Sequence, residues 1–323
     1  IEDLVINGGG SPNFCIYIKN TNAYFILRNC TATNGQEGIT LDNVKNALIM
    51  NNTVYSCNYG ISVRSSSENC TLLNNTIYSI SQIGIYLYSA KNFNVVNNRV
   101  YSCGWSGIKA YSGQLHNISY NYLHDNQDGV SLDGSDNNIV TENTIYHNNN
   151  GIYLHSAVNN TISDNNFTDH FAYGVYIETT SINNRLFRNN ISDNYYGVYV
   201  DWSKNNTLYN NTANHNDFHG FHCKSADFLN LTLNIANYNG EHGFYLEHCN
   251  NLTFFKNIAN GNNKTGIYMY NCDNNTLTNN TINSNTQYGI YLEYSDNNRI
   301  EWNTLWFNSL AIQEQSNCYF NII

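Results

Sequence analysis

Gly151-Ile152-Tyr153-Leu154 is followed by Asn159-Asn160-Thr161-Ile162 and then by Asn165-Asn166-Phe167. The stretch is one turn of a repeat that fills nearly the whole chain. A Gly followed by an apolar residue recurs at Gly38, Gly60, Gly84, Gly107, Gly129, Gly151, Gly174, Gly197, Gly220, Gly243, Gly266 and Gly289, in steps of 22 to 24 residues. Cys15 and Ala311 take the Gly slot at the two ends. About fourteen residues after each Gly stands an Asn: Asn52, Asn75, Asn98, Asn121, Asn143, Asn165, Asn189, Asn211, Asn234, Asn257, Asn280 and Asn303, with Asn29 at the start of the series and Asn7 in a partial repeat before it. A fixed period of this size marks a solenoid.

The apolar runs inside a repeat decide which solenoid. They are two to four residues long and alternate in and out, as in Ile152/Leu154, Ile162 and Phe167. That is strand period, and no window of ten residues carries the 3.6 period of a helix. Three short strands per repeat, joined by tight polar turns, wind into an all-β, single-stranded parallel β-helix of about fourteen turns spaced one inter-strand distance apart. The crossover rule makes it right-handed. The Gly reads as a turn residue at positive φ. The Asn reads as a residue tolerant of the same region, whose stacked amides form a ladder inside the coil.

The pattern Gly-Ile-Tyr-Leu-x-x-Ser-x-Asn-Asn-x-Ile-x-x-Asn-x-Ile resembles the parallel β-helix repeat family over residues 4 to 323. It is closest to the NosD-type and carbohydrate-binding or sugar-hydrolysis β-helices of secreted and surface proteins. The resemblance implies the fold. For function it implies a choice among polysaccharide lyases, glycosidases, a periplasmic copper-site maturation factor and surface proteins of no known activity.

Composition narrows that choice. Asn makes up 65 of the 323 residues, charged residues only 12%, and the net charge is −10. With no basic patch, a nucleic-acid partner is not expected. No apolar run is long enough to span a membrane. Ile1 reads as the start of a processed or excised chain. The unbroken repeat predicts one domain over 1–323: a partial turn and a Gly-rich, linker-like stretch over 1–14, regular turns over 15–305, and an incomplete turn over 306–323. The nine Cys lack CxxC spacing, so neither zinc nor another cofactor is expected. Cys249 and Cys272 share a slot in consecutive turns, within disulfide reach, with a stack of small buried thiols as the favoured reading.

Candidate sites follow from the first strand. Two residues after Gly, an outward row of rings runs Tyr153, Tyr176, Tyr199, His222, Tyr245, Tyr268, Tyr291. Exposed aromatic faces suit sugar rings, so this row is the candidate polysaccharide platform. Four after Gly come Glu178, Asp201, Lys224, Glu247 and Glu293, among which Asp201, His222 and Glu247 are the candidate catalytic set. His219 and His242 are the candidate metal ligands of a cluster holding five of the ten His within residues 215–248. Asp217-Phe218-His219-Gly220 bears a loose similarity to the Gly-His-Gly of polygalacturonases, but their Asp-Asp pair is absent. Of fifteen Asn-x-Ser/Thr sequons, Asn69, Asn159, Asn205, Asn251 and Asn274 fall in one turn column predicted to face solvent. Asn29 is expected to point inward.

The regular repeat with no long loop favours a non-catalytic, secreted or cell-surface structural protein. The alternative is a polysaccharide-binding module, or a glycan hydrolase or lyase, acting on the Tyr and acidic face. The apolar, unpaired strands Leu4-Val5-Ile6 and Tyr319-Phe320-Asn321-Ile322-Ile323 predict head-to-tail self-assembly.

Overall fold

The computed structural model describes residues 1–315 and 317–323. They fall into two compact units, 1–161 and 162–323. Both are β-coils without a helix among the described residues.

In residues 1–161 each turn contributes three strands. The Gly-bearing strands Tyr59–Arg64, Ile83–Tyr88, Ser106–Tyr111, Asp128–Asp133 and Asn150–His155 lie parallel, each in register with the next. The pairing Ile85↔Ile108↔Val130↔Ile152 stacks one buried aliphatic on another, all with no exposed surface. A second set, among them Thr71–Leu73, Asn94–Val96 and Asn117–Ser119, and a third, among them Thr76–Ile80, Arg99–Cys103 and Tyr122–His124, close the coil.

In residues 162–323 the first two sets persist, from Tyr173–Glu178 to Leu310–Gln315 and from Arg185–Phe187 to Arg299–Glu301. The third shrinks to single bridges, Asn190↔Thr212↔Ile235↔Ile258↔Thr281↔Thr304. Side chains explain why. The amide oxygens of Asn214, Asn237 and Asn260 accept the backbone N–H groups of Asn237, Asn260 and Asn283 at 2.7–2.8 Å, where a longer strand would use carbonyls.

The expected amide ladder is present, but the backbone conformations of the two repeat markers differ from those the sequence suggested. The repeat glycines are not at positive φ; among the glycines only Gly9, Gly10, Gly134 and Gly261 are. They are required for close approach. A Cβ on Gly220 would stand 2.8 Å from the Gly243 carbonyl oxygen and 2.8 Å from Asn239 Nδ2. The ladder Asn are not left-handed either. The residue before each one is, and it is as varied as Asn51, Tyr120, Arg188, Leu233 and Trp302. The Asn itself turns inward because its amide is needed there. Asn52 donates its backbone N–H and Nδ2 to Asn75 Oδ1, each at 3.0 Å, and donates Nδ2 to the Leu27 carbonyl at 3.1 Å.

Asn29 belongs to the left-handed column, with φ of 56°, and is exposed. Cys30 occupies the ladder position, its N–H donated to Asn52 Oδ1 at 2.9 Å. Two further ladders stand at the other corners. One runs through Asn184–Asn206 and Asn275–Asn298, the other through Asn194–Asn216–Asn239–Asn262–Asn285–Asn308.

Other expectations change as well. Gly8 to Pro12 is no free linker. It lies inside the strand Val5–Thr21, which pairs with Thr31–Val44 through two register shifts. Leu4-Val5-Ile6 and the C-terminal segment each pair with the adjacent turn of the coil: Val5 and Ile6 with Thr31 and Ala32, and Ile322 with Arg299. All nine Cys are free thiols. Cys249 and Cys272 are fully buried, and the Cys249 N–H is donated to the Cys272 Sγ at 3.3 Å.

Candidate active site

The first strands of residues 162–323 carry the candidate side chains on their outer face. Val198, Val200, Phe221, Cys223, Phe244 and Leu246 point in and are fully buried. The residues between them therefore point out, by strand alternation. Register then aligns two columns: Tyr176↔Tyr199↔His222↔Tyr245↔Tyr268↔Tyr291 and Glu178↔Asp201↔Lys224↔Glu247↔Tyr270↔Glu293. Tyr153 lies in residues 1–161, on the strand Asn150–His155.

The ring row is not the exposed platform the sequence suggested. Tyr176, Tyr199, Tyr245 and Tyr268 are half-buried, and Tyr291 is buried at 7% exposure. Rings one strand apart stack on each other, Tyr245 on Tyr268 at 5.1 Å and Tyr268 on Tyr291 at 4.9 Å between centroids. A second column, one residue before each Gly, covers their flank: Tyr173, Tyr196, His219, His242, Thr265 and Tyr288. Tyr173 stacks on Tyr199 at 5.1 Å and His219 on Tyr245 at 4.9 Å.

Where that second column carries histidine, a groove of about 540 Å³ opens, lined by His219, His222, Glu241, His242, Tyr245, Glu247, Lys264, Tyr268 and Gln287. Its volume is in the range of small-ligand sites. The histidines are fixed. His219 Nδ1 accepts the His242 N–H at 3.3 Å, and His242 Nδ1 accepts the Thr265 N–H at 3.3 Å. Both rings are therefore neutral, with the proton on Nε2. Burial pushes His219 down to about 2, His222 to about 3 and His242 to about 4. His222 is 4.8 Å from the Tyr245 ring and 5.4 Å from the His219 ring. Neither of its ring nitrogens has a hydrogen-bond partner among the described residues.

The acidic column is partly neutralised by Lys224, whose Nζ lies 3.5 Å from Glu247 Oε1. His222 Nε2 and His248 Nε2 lie 3.9 and 3.8 Å from the same carboxylate. Lys264 pairs with Glu241. Burial raises the Asp201 carboxyl, with Lys224 opposing and Glu178 and Glu247 adding to the rise. Asp201 Oδ1 has no partner among the described residues. Asp201 and Glu247 are two strands apart, about 10 Å from the inter-strand spacing.

His219 and His242 spend their Nδ1 atoms on backbone. Among the described residues no group of three or more His, Cys, Asp or Glu is placed to hold a metal ion. Lys264 and Gln287 are groove residues that pattern reading missed. Their signal was present, since they stand two before Gly266 and Gly289 as Glu241 stands two before Gly243. The sequon residues Asn69, Asn159, Asn205, Asn251 and Asn274 are all exposed, at φ of 58–59°.

The family model described as the right handed beta helix region matches residues 1–139, 38–190, 128–271 and 258–323. The chain belongs to this β-helix family. No curated protein sequence matched it. Among solved structures, a point variant of the periplasmic alginate epimerase AlgG aligns with a TM-score of 0.63 at 14% identity, covering 95% of this chain and 87% of that one. The A-module of the Azotobacter vinelandii mannuronan C-5 epimerase AlgE6 aligns at 0.54 and 14% identity, covering 99% and 88%. The enzymatically active domain of tailspike protein 2 from bacteriophage CBA120 aligns at 0.54 and 15%, covering 73% of this chain and 42% of that one. At such identities the likeness is one of fold. No helix among the described residues is long and apolar enough to cross a membrane.

Proposed function

We propose that the chain is a secreted or surface protein that binds a polysaccharide along the His and Tyr groove of residues 162–323. The observation that carries the reading is the groove itself, about 540 Å³ in volume, whose lining combines the rings of His219, His222, His242, Tyr245 and Tyr268 with the polar groups of Glu241, Glu247, Lys264 and Gln287. The polar groups supply donors and acceptors for a sugar's hydroxyls, while Tyr245 and Tyr268 offer apolar edges to its ring. Two further facts lend support. Proteins of the same fold include two named for alginate or mannuronan epimerisation and a phage tailspike. The purely structural role expected from the regular repeat leaves this groove unexplained.

The test is direct binding of a polysaccharide panel to the purified chain. His222→Ala and Tyr245→Ala should each weaken binding by about tenfold or more, the loss expected of one hydrogen bond or aromatic contact. Unchanged affinity in both variants overturns the reading.

A second reading places turnover on the same face. Asp201, held toward its protonated form by burial, is suited to be a general acid. Glu247, two strands away and 3.5 Å from Lys224 Nζ, is suited to be a base. That division of two carboxyl groups by environment is the acid and base assignment of an inverting glycosidase. Asp201→Asn and Glu247→Gln that bind a glycan but no longer cleave it would support it; cleavage at the wild-type rate by either variant removes it.

A further inference from the structure

Residues 1–161 contain a second groove, of about 320 Å³, on the outer face of their own first strands. Its origin is a gap in the ring row. Two residues after Gly, the slot that holds Tyr86, and elsewhere Tyr153, Tyr245 and Tyr268, holds Thr40 and Ser62 in two consecutive turns. With no phenol at Ser62, space opens beside the next ring. Tyr59 and Tyr86 bound it, stacked at 5.8 Å, and Tyr88 extends the wall at 5.9 Å from Tyr86. Tyr88 in turn stacks on Tyr111 at 5.7 Å, and both rings are more than a third exposed.

The polar floor is held rigidly. Glu37 is buried, accepts the Thr40 hydroxyl proton at 2.6 Å and pairs with Arg64. Arg64 also lies over the Phe14 ring at 5.9 Å. Its guanidinium carries five N–H donors in a fixed fork, more than one carboxylate takes up. The one-residue insertion after it turns the chain through Ser65 and Ser66, both at φ of 58°, and Ser65 joins the lining.

We propose that this groove is a saccharide subsite that takes an uncharged pyranose ring, with its apolar face on Tyr86 and Tyr88 and its hydroxyls on Arg64, Ser62 and Ser65. Charge decides against an acidic sugar. Both local cations are already matched: Arg64 pairs with Glu37, and Lys19 stands beside Asp42, whose Oδ2 also accepts the Tyr17 hydroxyl proton at 2.5 Å. A uronate would add a negative charge with no unpaired cation to meet it. The subsite extends the polysaccharide reading to a different part of the chain, so it rests on that reading for its ligand class and on separate residues for its evidence.

The experiment is isothermal titration of the full chain with neutral oligosaccharides cut from glucan, xylan, mannan and galactan, and with an oligouronate of equal length. The proposal expects a neutral oligosaccharide to show a binding event that Ser62→Tyr removes. That variant restores the side chain the column carries elsewhere and so preserves the fold. Tyr88→Ser, altering an exposed ring, should weaken the same event by about tenfold or more. The oligouronate should not produce it. Survival of the event in both variants overturns the subsite, as does a preference for the oligouronate there. If Tyr245→Ala alone abolishes all binding, the subsite falls and the His groove stands. If Ser62→Tyr alone abolishes all binding, the His groove falls and the subsite stands. Absence of binding by any panel member removes both.

Discussion

Asn211 satisfies polar groups on both neighbouring turns. Its Oδ1 accepts from the Asn189 backbone N–H at 3.1 Å and from Asn189 Nδ2 at 2.9 Å. Its Nδ2 donates to the Leu186 carbonyl at 2.9 Å and to Asn234 Oδ1 at 3.1 Å. All of these groups lie inside the coil, so a lost partner is not replaced by water. Asn211→Leu should lower stability by about 1–3 kcal/mol, read from the urea midpoint; a midpoint equal to wild type removes the ladder from the account of stability. The histidines give a second expectation at this scale. An unfolded His titrates near 6.5, while His219 and His242 are pushed by burial to about 2 and about 4. As pH falls, the unfolded chain takes up these protons first. The stability from neutral burial is complete above about pH 6.5 and is lost toward the folded values. Asp201, raised by burial, runs the other way and does not add to acid lability. His219→Asn keeps an acceptor for the His242 N–H and should flatten the fall in urea midpoint between about pH 6.5 and 4.5. An equally steep fall in the variant would assign the acid sensitivity elsewhere.

At the scale of the strand, spacing is set by what is missing. The Gly220 Cα passes so near the Gly243 carbonyl and the Asn239 amide that one added methyl group forces the corner outward. Gly220→Ala should cost about 1–3 kcal/mol as an overpacked site, measured by thermal or urea unfolding. A neutral result would show that the corner can yield. The same strand shows what a sequence can and cannot tell. The Gly and Asn spacing was sufficient for the coil, its register and the facing columns, because a stacked parallel strand repeats its environment every turn. Register could not say how far an outward side chain protrudes. Tyr245 alternates outward as expected, yet half of it is covered by His219 and Tyr268 from positions 26 residues before and 23 after it. Nor could the pattern show that His222 lacks partners, since that depends on three neighbouring turns at once. The periodic Gly suggests a positive φ, when the structure uses it for room; the periodic Asn suggests both a positive φ and an amide ladder, and of the two the structure keeps the ladder.

Across the molecule, acidity and asparagine set the surface. A chain of net charge −10 with 65 Asn leaves many sequons, and five of them stand exposed at one repeated corner. In a host that adds N-glycans to secreted proteins, Asn69, Asn159, Asn205, Asn251 and Asn274 should be occupied. The half-buried, strand-borne Asn117 and Asn166 should be bare, by glycopeptide mass spectrometry; the reverse pattern would reject the corner as the accessible column. Stability should also follow the linear contact pattern. Each strand pairs with the equivalent strands 22 to 24 residues before and after it, so energetic coupling passes from turn to turn. A defect at one turn then opens its neighbours first and distant turns least. Hydrogen exchange on Asn211→Leu should show lost protection in peptides around residues 186–234, where its partners lie, and little change in residues 1–120. A uniform loss over the whole chain would show one cooperative unit, in which the repeat governs construction but not unfolding.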